Sequence, residues 1–349
     1  MIRVGVVGAG ANTRARHLPM LQQIPGVRVT SVCNRRPEST RAVARDFNIP
    51  HVYDRWEELV ASPQVDAVVI GTWPYLHCAV TIAALEAGKH VLCEARMAMN
   101  AAEAHQMLEA ARARPNLVAQ VVPAPFTLRV DPYVQQLLAE GYLGQLLVAN
   151  VRGVGSGFID RESPLHWRQD ARLSGLNALT MGIWHESLMR WVGDASRVLA
   201  RTRTFVETRR DPESGQLVRV RVPDHIDILA DLQNGAQANY QFSAVEGLGG
   251  HSGIGLFGTE GTLFFDADTD RLLGGRRGDE ALRDIPIPPE KEGRWRVEEE
   301  FIAAIRGEQP VRLTTFEDGV RTMEFTEAVH RSAESGCAVN LPLERGTQA

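Results

Sequence analysis

From residue 1 to about 123, short apolar runs rich in β-branched residues alternate with stretches whose apolar residues recur at helical spacing. RVGVVG (3–8), VRVTSVC (27–33), VDAVVIGT (65–72), KHVLCE (89–94) and LVAQVV (117–122) predict buried strands. Between them, 37–47, 54–61, 76–88 and 100–113 predict helices, the last opened by Asn100 and Glu103 at capping-box spacing. Strands alternating with helices predict an α/β fold built on a doubly wound parallel sheet. The segment PAPFTLRVDP (123–132), with three prolines, marks the expected boundary between a first domain, 1–123, and a second, 124–349.

Beyond that boundary the period falls to two. The runs 144–155, 197–207, 216–222, 225–233, 236–243, 253–258 and 261–266 alternate and are joined by Gly, Asp and Asn turns. They predict an α+β domain with an open, mainly antiparallel sheet, one face covered by helices at 131–140, 182–192, 295–306 and 316–335. GGRRGDE (274–280) reads as a polar loop, and Asp266, Asp268 and Asp270 as a turn between strands.

Composition narrows the class. Net charge is −5 and the pI about 6.1, which argues against a nucleic-acid binder. No apolar run approaches the roughly 20 residues of a membrane helix. The opening MIRVGVVGAG runs straight into a strand pattern without a leader-like segment, so a cytoplasmic location is expected. Cys33, Cys78, Cys93 and Cys337 form no CxxC pair, so neither a metal site nor a disulfide framework is expected. The first 123 residues carry a net charge of +3 and the remainder −8, a distribution that suits an anionic cofactor in the first domain.

Candidate chemistry begins with GVVGAGANT (5–13), which ends the first strand and opens the first helix. Glycine there lets the backbone approach a pyrophosphate, and the helix N-terminus supplies amides and a positive dipole end. Gly8 and Gly10 fit the dinucleotide fingerprint, whereas its third glycine is Thr13. The second strand ends in Asn34-Arg35-Arg36, where an NAD site usually has an acidic residue. A neutral Asn followed by two guanidinium groups favours the 2′-phosphate of NADP, with NAD as the alternative.

The glycine turn, the stretch GTWPYLHCAVTIAALEAGKHVLCEA (71–95), GYLGQL (141–146), GTEGTLFF (258–265) and the Phe301 to Gly336 ending together resemble the glucose-fructose oxidoreductase/inositol dehydrogenase (Gfo/Idh/MocA) family. The resemblance implies a Rossmann domain, a C-terminal α+β domain used for oligomerisation, here into a homodimer or homotetramer, and nicotinamide-dependent hydride transfer on sugars, polyols or related carbonyl compounds. Ala11, Asn12 and Thr13 of the turn, with Thr72, Trp73, His77, Glu94 and Ala95 near later strand ends, complete the expected cofactor site.

The departures from the family concern proton transfer. Its E-K-P motif reads Glu94-Ala95-Arg96 here, and its catalytic aspartate and histidine positions align with Thr180 and Trp184. Hydride transfer to or from an alcohol still needs a group that moves the hydroxyl proton. His185, one residue beyond the altered position, is the first candidate and His166 the second. Trp167 and Arg168, in a W-R element like the family's, and Trp184 are expected to contact substrate. Two other functions stay open at this point: a redox-neutral lyase, hydrolase or epimerase that keeps its nicotinamide, and an inactive cofactor-binding sensor or structural subunit.

Overall fold

Six strands of the first part form one parallel sheet: β1 (Ile2–Val7), β2 (Val27–Cys33), β3 (His51–Val52), β4 (Ala67–Ile70), β5 (His90–Cys93) and β6 (Ala119–Val121), in the order β3-β2-β1-β4-β5-β6. Their near-continuous Val, Ile and Leu content matches a sheet buried on both faces, and every residue of β4 is buried. The chain reverses its winding between β1 and β4, the crevice where such sheets take ligands at strand C-termini. The computed structural model describes residues 1–155 and 157–344.

The chain forms two compact units, one of Met1–Pro123 with Arg296–Met323, the other of Ala124–Trp295 with the chain from Glu324 on. The second unit is therefore not the contiguous stretch 124–349 expected from the sequence, whose last residues, 345–349, also lie outside the described residues. The helix Val297–Ile305 buries Val297, Phe301 and Ile302, while Phe316, Val320 and Met323 join the apolar core of the first unit. These apolar faces explain why the returning segment belongs there.

The second unit is built on a nine-stranded sheet. It comprises β7 (Leu146–Val154), β8 (Ala195–Arg203), β11 (His225–Leu232), β12 (Gln237–Ser243), β13 (Gly253–Gly258), β14 (Gly261–Asp266), β15 (Arg271–Arg276), β16 (Arg283–Asp284) and β17 (Val339–Asn340). The order is β16-β15-β14-β13-β7-β12-β11-β8-β17, antiparallel except between β7 and β12. The residues expected as a strand at 216–222 stay outside this sheet: β10 (Leu217–Arg219) pairs only with β9 (Thr208–Arg210) in a small hairpin. Part of the expected polar loop at 274–280 is strand, because Gly274 to Arg276 complete β15. In β11, Ile226, Ile228, Ala230 and Leu232 face the core while Asp227, Leu229 and Asp231 face outward.

The helices Asp131–Ala139, Met181–Val192 and the later turns of Phe316–Ser335 contribute to the core over one sheet face. Arg190 fastens the first two. Its guanidinium pairs with Asp131 and Glu186 at 3.0 Å each, all three side chains being at least 93% buried. Trp191 Nε1–H donates to Asp131 at 2.7 Å. Removing Arg190 would leave two buried carboxylates without their counter-charge, a loss of about 3–5 kcal/mol.

Candidate active site

Gly8 follows β1 with φ +87°, and its N–H donates to the Cys33 carbonyl at 2.8 Å. A side chain there would stand 2.6 Å from Thr72 N and Cγ2, so only glycine closes the turn. Gly10 is exposed, and a Cβ on it would meet nothing nearer than the Gly71 carbonyl at 3.8 Å, which leaves the backbone open to a ligand. Helix begins immediately, with Ala11 and Asn12 exposed in its first turn and a wide π turn over Thr13–His17. Thr13 is buried instead, donating Oγ1–H to the Gly8 carbonyl at 3.2 Å. Arg14 is committed to Asp46 at 2.6 Å, away from the turn's amides.

At the end of β2, Asn34 Oδ1 accepts the Ala9 N–H at 2.6 Å and its Nδ2 donates to Ser39 at 2.9 Å. The asparagine thus ties the glycine turn to the second strand without bringing negative charge. Arg35 and Arg36 are exposed beside it. Thr72, past β4, has a buried Oγ1 without a partner among the described residues, and Trp73 beside it is half-buried. The crevice therefore combines an open glycine backbone, a helix N-terminus and an orphaned hydroxyl, features that fit a dinucleotide.

His77, expected among the cofactor contacts, has no exposed surface. Its ring bridges the Thr72 and Arg96 carbonyls at 3.0 Å each, and burial holds its pKa below the usual histidine value. It braces two loops from beneath them. Glu94 closes β5 with its carboxylate accepting hydrogen bonds from Asn12 Nδ2 and, at 3.1 Å, from the Ala95 N–H. It also pairs with His17 at 3.0 Å, and His17 pairs through its other nitrogen with Glu298. Burial alone would raise the Glu94 pKa, but His17 and Asn12 hold it below the ordinary carboxylate range. Burial likewise lowers that of His17, but Glu298 and Glu94 outweigh it and bring the imidazole to about 9. Sequence reading missed His17 and Glu298. The available signal was a charge on an apolar stripe: Glu298 lies three and four residues before the buried Phe301 and Ile302.

The second unit contains a cavity of about 580 Å³. Phe126 and Trp184 form an aromatic wall with ring centroids 5.0 Å apart. A Cβ on Gly153 would stand 2.6 Å from Trp184 Nε1, so the glycine makes room for the indole. Thr180, His166, Arg168, Arg209 and Asp224 also line it. Trp184 and His166 are thus brought to one cavity, as is Arg168. Trp167 is not at the wall; its half-buried indole carries the Arg168 guanidinium 4.3 Å above the ring.

His185 is not among the cavity residues. It is 2% exposed, stacked on Phe325 at 3.5 Å between centroids, with Nδ1 3.2 Å from the Tyr240 hydroxyl. One residue on a helix turns a side chain by about 100°, and that turn carries His185 from the cavity side occupied by Trp184 into the core. The expectation that His185 is the first proton-transfer group conflicts with this placement. His166 caps a short turn, accepting the Arg168 N–H on Nδ1 at 3.3 Å. Burial and the Arg168 charge hold its pKa below the usual value.

Residues 2–121 match an oxidoreductase family with an NAD-binding Rossmann fold, and residues 133–264 match the GFO/IDH/MocA C-terminal domain. The chain belongs to the Gfo/Idh/MocA oxidoreductase family. Levoglucosan dehydrogenase of Pseudarthrobacter phenanthrenivorans is 26% identical over 388 aligned positions, which span 98% of each chain. An uncharacterized oxidoreductase of Synechocystis is 28% identical over 274, spanning 76% of this chain and 72% of that one. A solved structure of levoglucosan dehydrogenase in complex with NADH and L-sorbose is similar at a TM-score of 0.85 and 25% identity, covering 98% of this chain and 99% of that one.

In this Gfo/Idh/MocA chain Thr180 and Trp184, expected from the sequence to stand at the family's acid and base positions, both line the cavity wall. Neither side chain titrates near neutrality, so His166 is the cavity's one imidazole among the described residues. Asp266 to Asp270 form the expected turn between β14 and β15. There His251, Asp266 and Asp268 bring ligand-type atoms within 4.8 Å of one another at an exposed site. Asp224 accepts main-chain amides, and His225 pairs with Asp227 at 3.0 Å on the outer sheet face.

Proposed function

We propose that the protein transfers a hydride between a nicotinamide dinucleotide seated on the Gly8–Gly10 turn and a carbinol or carbonyl carbon of a sugar-like compound in the second unit's cavity. The observation that carries this reading is the turn itself, open at Gly10 and closed to side chains at Gly8, in a chain similar along its length to a sugar dehydrogenase solved with NADH. When bound, the nicotinamide supplies or accepts the hydride. Phe126 and Trp184 present flat apolar faces to the C–H surface of a sugar ring, and Arg168 donates to its oxygens. His166, neutral at ordinary pH because its pKa is lowered, takes the hydroxyl proton during oxidation and returns it during reduction. The long 3.3 Å bond to its Nδ1 is given up when the ring turns to substrate.

NADP is the preferred cofactor in this reading. Asn34 brings no carboxylate to repel a 2′-phosphate, and Arg35 and Arg36 stand exposed beside it. The working form is a homodimer or homotetramer, supported by Leu199, Leu229 and Phe257, which are 41%, 59% and 37% exposed on the uncovered face of the nine-stranded sheet. A cytoplasmic location accords with four unpaired cysteines and with the lack, among the described residues, of a helix able to cross a membrane.

The purified protein, mixed with NADP⁺ or NAD⁺ and a panel of sugars and polyols, is expected to raise the reduced-nicotinamide absorbance with at least one of them. Substrate turnover on a retained cofactor without net absorbance change would establish the redox-neutral alternative. Tight cofactor binding with no turnover of any compound would establish the sensor. Light scattering at micromolar concentration tests the assembly, and a monomer would refute it.

A further inference from the structure

Arg209 is the least exposed cation on the cavity wall, with 8% of its surface accessible. Nη1 donates to the Ser163 carbonyl at 2.8 Å and Nη2 to the Asp160 carbonyl at 2.9 Å. Both acceptors are neutral main-chain oxygens. Its Nε–H is buried and has no partner among the described residues. A buried guanidinium N–H without an acceptor is unfavourable, and in a cavity wall it marks the place of an acceptor the protein itself does not provide.

Arg168 belongs to the same wall. The Leu165 N–H donates to the Arg210 carbonyl at 2.8 Å, which clasps the segment leading to Arg168 against the strand that carries Arg209. The Arg168 guanidinium carbon lies 4.3 Å from the centroid of the Trp167 ring, a cation–π contact at an exposed side chain. The two carboxylates of the cavity are engaged elsewhere. Asp224 accepts the Phe205 N–H at 2.8 and 3.0 Å and the Val206 N–H at 2.9 Å. Asp268 accepts the Ser252 N–H at 3.2 Å and pairs with His251 at 3.5 Å.

We infer that the cavity takes a sugar acid, whose carboxylate accepts from Arg209 Nε–H and from the Arg168 guanidinium while its ring lies against Phe126 and Trp184. This inference rests on the oxidoreductase reading above and names its substrate class. A carboxylate is an acceptor-only group that matches guanidinium donors with charge-assisted bonds, which a neutral hydroxyl does not supply. A phosphate dianion is disfavoured because Asp224 and Asp268 share the same cavity.

The test is calorimetry on the NADPH-loaded protein with D-glucuronate and D-galacturonate, D-glucose and D-galactose, and glucose 6-phosphate. The uronates are expected to bind at least about 10-fold more tightly than the neutral sugars, a preference that weakens with added salt. Arg168→Gln, at an exposed side chain, is expected to reduce that preference to within roughly 3-fold, and Arg209→Met to do the same if its melting temperature shows the 160–163 loop still seated. Neutral sugars or the phosphate binding as tightly as the uronates would overturn the inference, as would a preference retained in Arg168→Gln. If neutral sugars bind and are oxidised while uronates do not bind, only the carboxylate assignment fails. If NADPH binds and neither class of sugar does, the oxidoreductase reading fails with it.

Discussion

Thr13 and Gly71 share one space: the Thr13 hydroxyl sits where a Cβ on Gly71 would be. The dinucleotide fingerprint uses its third glycine to let helix and strand pack closely. Here the helix carries threonine at that position, and the missing side chain is on the opposite partner, just past β4. The close approach is preserved with the small residue on the other side of the contact.

Gly71→Ala is therefore expected to destabilise the protein by about 1–3 kcal/mol through overpacking, and to weaken NADPH binding because the Gly8 turn must shift. Thr13→Gly in that background is expected to recover only part of the loss, since the new methyl would still overlap the Gly8 carbonyl. Denaturant titration and cofactor fluorescence measure the two effects. Full recovery in the double variant would mean that Thr13 alone sets the constraint.

His17 makes stability depend on pH. Its pKa rises from an unfolded value near 6.5 to about 9 in the fold. A group raised in this way contributes fully below about pH 6.5, loses that contribution as pH climbs, and gives none above about 9. The shift corresponds to on the order of 3 kcal/mol. Melting temperature is expected to fall between those limits, and His17→Gln to lower it at pH 6 while flattening its slope. An unchanged slope in that variant would assign the pH dependence to another group.

The two histidine candidates separate by what each change damages. His166→Ala is expected to lower turnover by roughly 10²–10⁴-fold with cofactor affinity nearly intact. His185→Ala removes a buried ring stacked on Phe325 and is expected to lower the melting temperature by several degrees while leaving the turnover of folded protein within about 3-fold. The reverse pattern would return the proton-transfer role to His185.

Replacing Arg35 and Arg36 together by alanine is expected to weaken NADPH binding by about 2–4 kcal/mol and to spare NADH, as charge-assisted bonds to a 2′-phosphate require. Fluorescence titration with both nucleotides measures it. Equal losses, or a wild-type preference for NADH, would refute the NADP assignment.

Local periodicity determined much of this protein. The alternation of apolar runs and helical stretches, the change to period two after Pro123, and the Asn100 cap, whose side chain accepts the Glu103 N–H at 2.9 Å, depend on residues a few positions apart and were legible in the sequence. So was the glycine turn, because strand, Gly8, Gly10 and helix follow one another without interruption. Tertiary structure decided the rest, where distant residues meet. His17 and Glu298, 281 positions apart, form a buried pair that no spacing announces. The helix over Val297–Ile305 was legible, but its assignment to the first unit was not, since an apolar stripe says that a face is buried and not against what. The same limit governed His185. Its helix was predicted, and a turn of about 100° between neighbouring residues then separated a cavity-lining Trp184 from a core histidine, a phase that only the packing of that helix on its sheet sets.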